Sequence, residues 1–249
     1  MSNPAYLGTS GWAYPAWKPE FYPKKIPAKK FLDYYATRLN AVEVNYTFRQ
    51  FPSEKTLTNW AAAVPKDFRF AVKANQRITH FQKLRGAGEI ATQFLRALQP
   101  LHEAGKLGPV LFQLPPDVKA DIPLLREFLG ALPQAYQYTF EFRHASWFAD
   151  EVYATLRECK TAICIADSEK LVTPDVETAS FCYYRFRQPE GYAAKQLAEI
   201  TKKIKEKVAR QEIFAFFKHE DTPEGAVQAE KILDELHPHR QREQESLWA

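Results

Sequence analysis

The order of apolar segments constrains the fold of this chain more than any other feature. Short runs rich in β-branched and aromatic residues alternate with longer runs in which apolar residues recur at helical spacing. Strands are predicted over residues 5–12, 41–48, 68–74, 109–114, 138–144, 161–168, 181–187 and 212–219. Helices are predicted over residues 28–39, 53–64, 88–104, 122–132, 147–159, 192–210 and 223–236. Strands that alternate with helices predict a parallel sheet with helical crossovers.

About eight strand-helix repeats favour a closed TIM-type (β/α)8 barrel over an open doubly wound sheet. The connection over residues 169–180 lacks a helical period, so we expect an irregular barrel whose helix after the sixth strand is missing or reduced to a turn. No Gly/Ser-rich linker divides the 249 residues, a usual length for one barrel. We therefore predict a single domain over residues 5–237, followed by a polar tail over residues 238–249.

Net charge and hydropathy indicate which cellular compartment and which kinds of partner to expect. The net charge of +4 is a mild excess that can steer an anion, but it falls well short of a nucleic-acid-binding charge block. No stretch of about 18 apolar residues and no signal-peptide pattern is present, so we expect a cytoplasmic protein that does not enter a membrane. The oligomeric state is left open.

The three cysteines, Cys159, Cys164 and Cys182, have no CxxC spacing, and we interpret them as small buried hydrophobes. Cys164 shares the alternation of Ala166, and Cys182 shares that of Tyr184 and Phe186. We therefore expect both to face the helix layer and to react slowly with thiol reagents.

Alternation along the strands predicts a polar pocket at one end of the barrel. Side chains two apart on a strand share a face, so Val42, Val44 and Tyr46 are expected to face the helices while Glu43, Asn45 and Thr47 point inward. The same rule applied to the later strands gives further inward polar groups. They are Lys73, Asn75, Gln113, Glu141, Arg143, Asp167, Arg185, Arg187, Lys218 and Glu220.

Isolated charges in an apolar core are costly, so these groups form either a mutually paired lattice or a hydrated ligand site. Active sites of α/β barrels lie at the carboxyl ends of the strands, where most of these groups fall, which favours a ligand site. Glu141 and Arg143 are the leading pair, because a guanidinium suits phosphate or carboxylate recognition and a neighbouring carboxylate can act as a base or orient a hydroxyl.

Other chemistries have weaker support in the sequence. GxGxxG, GxxxxGK[ST] and GxSxG motifs are absent, so no cofactor is predicted. The six histidines show no metal-ligand spacing, and although Glu43, Glu141 and Asp167 could hold a divalent cation, the surrounding basic residues argue against a metal. The lysines of the 192–210 helix are interpreted as a solvated face.

Aromatic residues near the same rim leave two alternatives open. Trp12, Tyr14 and Trp17 could stack on a base or sugar ring, or could serve only in packing. Trp60 and Trp147, near predicted helix starts, are interpreted as packing residues.

Several motifs in order along the chain resemble those of the YecE-like family, the domain of unknown function numbered 72. They are GTSGW at 8–12 with Tyr14 and Trp17, VEVN at 42–45 with Thr47 and Phe48, ITH at 78–80, QLPP at 113–116, EFRH at 141–144 with Ser146 and Trp147, and YRF at 184–186. The match extends from about residue 6 to residue 236. The resemblance implies a TIM-type barrel and no settled activity.

The residues at the family's motif positions overlap the pocket given by strand alternation. We take Glu141, Glu43 and Asp167 as candidate catalytic groups. The candidate substrate-binding residues are Ser10, Trp12, Tyr14, Asn45, Lys73, His80, Gln113, Arg143, His144, Arg185, Arg187 and Lys218.

Two departures from the family pattern make one side of the mouth more basic. Arg187 and Gln188 stand where the family usually has His-Gly on its seventh strand, and Lys218 and His219 stand where it usually ends the eighth strand with two asparagines. The resemblance therefore implies either a preference for a more anionic ligand or the loss of the usual site.

These observations give two functional hypotheses. The first is an enzyme acting on a small anionic metabolite, such as a sugar phosphate or nucleotide, with Arg143 and Arg185 as anion clamps and Glu141 as acid or base. Under it, Arg185→Ala should abolish anion binding at little cost to the fold. The second is a non-catalytic binding module for nucleic acid or nucleotide, whose affinity for nucleic acid should fall steeply with salt.

Overall fold

Eight parallel strands close into a barrel in the computed structural model, which describes residues 3–167, 171–188, 191–218 and 222–238. Each strand pairs with the next along the chain, and the first pairs with the last. The predicted barrel is therefore confirmed. The strands are β1 Ala5–Thr9, β2 Ala41–Val44, β3 Arg69–Lys73, β4 Leu107–Gln113, β5 Tyr138–Glu141, β6 Ala162–Asp167, β7 Phe181–Phe186 and β8 Glu212–Phe217.

Helices surround the barrel in the described ranges. They are α1 Phe31–Arg38, α2 Glu54–Ala63, α3 Gly88–Ala97, α4 Gln99–Glu103, α5 Ile122–Gly130, α6 Asp150–Glu158, α7 Ala194–Val208 and α8 Glu224–Leu236. The single helix predicted over residues 88–104 is two, α3 and α4, because Pro100 lies in the first turn of α4 and lacks the backbone N–H that would continue α3. The turns Ala28–Lys30 and Ala145–Trp147 are 3₁₀ helices ahead of α1 and α6.

The connection between β6 and β7 has no helix in its described part, residues 171–180. The predicted irregularity is confirmed there, while residues 168–170 lie outside the described ranges. Residue 238 of the predicted tail is described, and residues 239–249, with His239, lie outside as well.

Strand β2 ends sooner than alternation predicted. Val44 is its last residue, and Tyr46–Phe48 form a 3₁₀ turn held by Thr47 Oγ1, which donates to the carbonyls of Val44 at 3.2 Å and Lys73 at 2.7 Å. The turn leaves Tyr46 47% exposed, with its ring in edge contact with Trp60 of α2 at 6.3 Å between ring centroids. Thr47 ties β2 to β3 instead of extending the inward row of Glu43.

The barrel separates two apolar clusters. The outer cluster packs between the strands and the helices, and the inner cluster fills the barrel. Large rings from β1, β7 and β8 occupy much of the interior, and small residues face them from the other strands. The inner cluster comprises Tyr6, Ala41, Ala71, Leu111, Ala162, Cys164, Ala166, Phe181, Tyr183, Phe214 and Phe216.

Strand β6 has the opposite orientation to the one predicted. Cys164 lies in the inner cluster, whereas Ile163 and Ile165 pack in the outer one, so the expectation that Cys164 faces the helices is wrong. Space explains the inversion: the narrow interior takes the small side chains of β6, and the bulky isoleucines cover the helix side. Cys182 lies in the outer cluster, which confirms the expectation for that residue.

Candidate functional site

Three buried ionic residues link three strands across the interior of the barrel, near the carboxyl ends of the strands. Arg185, on β7, donates from Nη2 to Glu43 Oε1 of β2 at 2.8 Å, and from Nη1 to Glu141 Oε2 of β5. All three side chains are 3% exposed or less. We call Glu43, Glu141 and Arg185 the buried triad.

Glu43 is held by several donors beyond Arg185. Oε1 also accepts from Ser10 Oγ at 3.0 Å and Asn45 Nδ2 at 3.2 Å, and Oε2 accepts from Tyr183 Oη at 2.8 Å. Burial by itself would raise the pKa of Glu43, but Arg185 and the Tyr183 hydroxyl outweigh it and lower the pKa below its ordinary value. Glu43 is therefore a fixed carboxylate.

Glu141 is a fixed carboxylate for similar reasons. Burial opposes its ionisation, but Arg185, Arg143 and Arg187 together bring its pKa well below the usual range for glutamate. A carboxylate that binds a proton so weakly is a poor general base near neutral pH. The geometry therefore gives Glu141 the role of orienting the arginines.

Close strand approach and turn geometry position the β1 side of this site. A side chain at Gly8 would bring its Cβ within 1.8 Å of the Ala41 carbonyl oxygen, so only glycine lets β1 and β2 approach this closely. At the end of β1, Gly11 has φ +109, a conformation that side chains disfavour. This turn directs Ser10 toward Glu43.

Lys73 projects into the mouth from the end of β3. Its Nζ donates to Gln113 Oε1 at 2.8 Å and lies 4.2 Å from the centre of the Phe48 ring. Burial, together with the positive charge of Arg185, lowers the pKa of Lys73 to about 8. An amine with that pKa exchanges protons near neutral pH, as catalytic lysines do.

Two further arginines complete the basic side of the mouth. Arg143 is 41% exposed and donates from Nε to Glu141 Oε1 at 2.9 Å. Arg187 is half-buried, and within the described ranges its guanidinium makes no hydrogen bond or ion pair. Burial and the nearby charge of Arg185 lower the pKa of Arg187. We call Lys73, Arg143 and Arg187 the rim cations.

Positive charge exceeds negative charge in this set of six residues. Arg185 and the rim cations supply four positive groups against the two carboxylates of the buried triad. Such an excess in a concave, partly desolvated site favours the arrival of an anion.

Asp167 does not belong to this set, and its predicted inward position is wrong. Its strand partner is Phe186, whose ring packs in the outer cluster, whereas Ala166 pairs with Arg185. The carboxylate accepts from Tyr192 Oη at 2.5 Å and from the backbone N of Arg187 at 2.6 Å. Asp167 therefore lines a separate cavity of about 380 Å³ between the barrel and α7.

The remaining candidate residues, His80, His144 and Lys218, lie in turns or just after a strand. His80 lies in a π-helical turn, Arg77–Phe81, where burial and the charges of Lys73 and Arg143 lower its pKa. His144 accepts from the Ser146 backbone N at 3.1 Å and so caps the turn before α6. Lys218 is half-buried just after β8, while His219 and Glu220 lie outside the described residues.

A second recess of about 280 Å³ adjoins the buried triad and carries four of the predicted residues. Ser10, Trp12, Tyr14 and Asn45 line it. Tyr46 and Trp60 also line it, and sequence reasoning had not placed either of them at a site. Trp60 packs its edge against Trp12 at 5.1 Å between ring centroids. We call this recess the aromatic cavity.

Tyr183 is another functional neighbour that the sequence analysis missed. It lies two residues before Arg185 on β7, so the alternation that placed Arg185 inward also places Tyr183 inward. No role was predicted for Tyr183, whose hydroxyl donates to Glu43 Oε2. Of the aromatics read as packing, Trp147 is 1% exposed and stacks on Phe142, which confirms that reading.

The basic face of α7 is neutralised by neighbouring carboxylates. Lys203 and Lys207 form ion pairs with Asp175, and Lys205 pairs with Glu235. In the described ranges, no helix is long and apolar enough to cross a membrane. The same residues include no group of three or more His, Cys, Asp or Glu side chains placed to hold a metal ion.

An eight-stranded barrel with charged side chains at the carboxyl ends of its strands defines a TIM-type barrel protein. A family model described as "Protein of unknown function DUF72" matches residues 6–248. The chain therefore belongs to the DUF72 family, which the motifs had indicated.

Relatives share both the sequence and the architecture. UPF0759 protein YecE of Escherichia coli K12 is 32% identical over 145 residues, which are 58% of this chain and about half, 50%, of that protein. The crystal structure of a DUF72 family protein from Thermotoga maritima is 28% identical, with a TM-score of 0.83 over 94% of this chain and 99% of that one.

A more distant neighbour shows only the common fold. A sugar phosphate isomerase/epimerase from Parabacteroides distasonis superposes with a TM-score of 0.54 over 95% of this chain and 96% of that one, at 9% identity.

Proposed function

We propose that the mouth of the barrel binds a small phosphate-bearing metabolite and that the protein is an enzyme acting on it. The observation that carries the proposal is the guanidinium of Arg187, which is half-buried near Arg185 and Arg143 and makes no hydrogen bond to the described residues. A dianionic phosphate would supply both the missing acceptors and the missing negative charge.

The buried triad and the rim cations have different roles in this proposal. Both terminal nitrogens of Arg185 already hold carboxylates, and the side chain is 2% exposed, so we assign it to the framework rather than to the ligand. Arg187 replaces it as the partner of Arg143 in the anion clamp. Glu141 orients both Arg143 and Arg185.

Lys73 is the group we propose for proton transfer. A pKa of about 8 leaves a useful fraction of the amine neutral at physiological pH, and Gln113 holds it in place. The carboxyl ends of the strands, where Lys73 projects, are the usual place for catalysis in this architecture. The reaction type is left unassigned.

Calorimetric titration with inorganic phosphate tests the anion site. We expect the wild-type protein to bind phosphate with measurable heat, and Arg187→Gln to weaken binding about ten- to hundredfold, the usual worth of a hydrogen-bonded charge. Arg210→Gln is the matched control, because Arg210 is exposed and lies just ahead of β8, at the opposite end of the barrel. Equal phosphate affinity in wild type and Arg187→Gln would overturn the proposal.

The nucleic-acid alternative makes a different prediction in the same assay. A surface that contacts several phosphates loses affinity steeply as salt rises, whereas a pocket that binds one phosphate loses much less. Tight binding of an oligonucleotide that falls by orders of magnitude between 50 and 200 mM salt, at about the rate expected for 6–10 phosphate contacts, would favour the alternative.

A further inference from the structure

The aromatic cavity has the dimensions of a subsite for one ring. Its volume of about 280 Å³ lies just below the range of about 300–1,000 Å³ that holds a whole drug-sized ligand. Trp12, Tyr14, Tyr46 and Trp60 supply aromatic surface, and Tyr46 is 47% exposed at its edge. Aromatic surface of this kind stabilises a planar ring by stacking or edge contact.

The cavity borders the buried triad, because residues that line it donate to a carboxylate oxygen of the triad. Ser10 and Asn45 line the cavity, and both donate to Glu43 Oε1, at 3.0 and 3.2 Å. Arg185 donates to the same oxygen at 2.8 Å. The cavity therefore lies on one side of the buried triad, and Arg143 and Arg187 lie near Glu141 of the same triad.

The wall of the cavity is held in place before any ligand binds. Tyr14 Oη donates to the Ser10 carbonyl at 2.8 Å, Thr9 Oγ1 donates to the Gly11 carbonyl at 2.7 Å, and Tyr22 Oη donates to the Trp12 carbonyl at 2.5 Å. A preorganised wall loses little conformational entropy on binding, which favours specific recognition.

The cavity also presents an unused acceptor. Asn45 donates through Nδ2, but across the described ranges its Oδ1 accepts no hydrogen bond. An amide oxygen at the edge of an aromatic pocket suits the amino or imino N–H of a nucleobase.

From these contacts we propose that the aromatic cavity binds the base of a mononucleotide whose phosphate lies among the rim cations. This inference rests on the proposed function and narrows it, because a sugar phosphate without a ring substituent would leave the cavity unfilled. It assigns Trp12, Tyr46 and Trp60 to base recognition and Ser10 and Asn45 to its polar edge.

Calorimetry with four probes separates the two subsites. The probes are inorganic phosphate, ribose 5-phosphate, adenosine and adenosine 5′-monophosphate. We expect the monophosphate to bind about five- to hundredfold more tightly than ribose 5-phosphate, the range given by stacking one base on aromatic side chains.

Variants of the cavity then test which residues carry the difference. Tyr46→Ala removes an exposed ring and should leave the fold intact, while Trp60→Leu removes the inner ring, and each should reduce the preference for the monophosphate at least threefold. Neither should change the affinity for inorganic phosphate. Tyr136→Leu, an aromatic substitution ahead of β5 at the other end of the barrel, is the matched control.

The outcomes distinguish this inference from the proposed function. If phosphate and ribose 5-phosphate bind but the monophosphate is no tighter, the base subsite is wrong and the anion site stands. If adenosine binds and phosphate does not, the anion site is wrong. Oligonucleotide binding that mononucleotide does not displace would contradict both.

Discussion

Arg185 lies on β7 and Arg187 lies two residues further along, just past the end of the strand, yet their surroundings differ. Arg185 is 2% exposed and holds two carboxylates, whereas Arg187 is half-buried beside other cations. Alternation along the strands predicts both as inward cations, and as an anion clamp Arg185 would be replaceable by alanine at little cost to the fold. The contacts of Arg185 with Glu43 and Glu141 predict a large cost instead.

Arg185→Ala should destabilise the folded protein by about 3–5 kcal/mol, because it leaves Glu43 and Glu141 buried without their shared cation. Urea denaturation measures the change in the free energy of unfolding. A second variant, Arg185→Met combined with Glu43→Gln and Glu141→Gln, removes the uncompensated charges and should recover part of the loss. A loss below about 1 kcal/mol for Arg185→Ala would show that the triad is not a structural element.

Lys73 should make anion binding depend on pH. Its pKa of about 8 means that the amine is charged below that pH and contributes attraction, which is lost as the pH rises. A bound anion favours the charged form and shifts this loss to higher pH. Sulfate is the suitable probe because its charge is constant over this range.

Sulfate affinity should therefore decline as the pH is raised from about 7 to about 10, with the steepest decline above pH 8. Lys73→Met should bind sulfate more weakly at neutral pH and lose the decline. Lys160→Met, an exposed lysine after α6, is the control and should retain it. A pH-independent affinity in the wild type would remove Lys73 from the site.

At the scale of the element, strands β6 and β7 show when alternation of polar and apolar residues predicts which face of a strand points into the barrel. On β7, Arg185 lies between Tyr184 and Phe186, and the rule placed Arg185 inward correctly. On β6 both faces carry small or aliphatic residues, so the polarity of Asp167 alone decided the orientation, and it decided wrongly. The volumes of the opposing rings, which sequence periodicity does not contain, determine which face of β6 turns inward.

The absence of a helix in residues 171–180 leaves room for the cavity that Asp167 lines. Without a full helix in residues 171–180, the outer side of β6 and β7 borders the cavity next to α7, and Asp167 bonds Tyr192 there. Tyr192→Phe should lower the free energy of unfolding by about 1 kcal/mol, since a half-buried carboxylate loses a donor.

The same variant should leave sulfate affinity unchanged within about twofold, because the bond lies outside the mouth. Calorimetry and urea denaturation on one preparation give both values. A change in sulfate affinity of tenfold or more would return Asp167 and Tyr192 to the functional site.

At the scale of the whole molecule, the strand count, the closure of the barrel and the end that carries the charged groups all follow from the sequence. Each depends on local periodicity and on the rule that sites lie at the carboxyl ends of parallel strands. The division between the buried triad and the rim cations does not follow, because it depends on which side chains meet across the barrel. The aromatic cavity was missed in part because Trp60, on α2, reaches it from an outer helix.

The central claim is that the rim cations are in excess and that an anion neutralises them. Thermal denaturation of wild type and Arg187→Gln, each with and without sulfate, tests it most directly. Sulfate at about 100 times its dissociation constant should stabilise the wild type by about 2.7 kcal/mol. Arg187→Gln without sulfate should be as stable as the wild type or more stable, because it removes repulsion, and sulfate should add little. An unstable Arg187→Gln that gains as much from sulfate as the wild type would contradict the account.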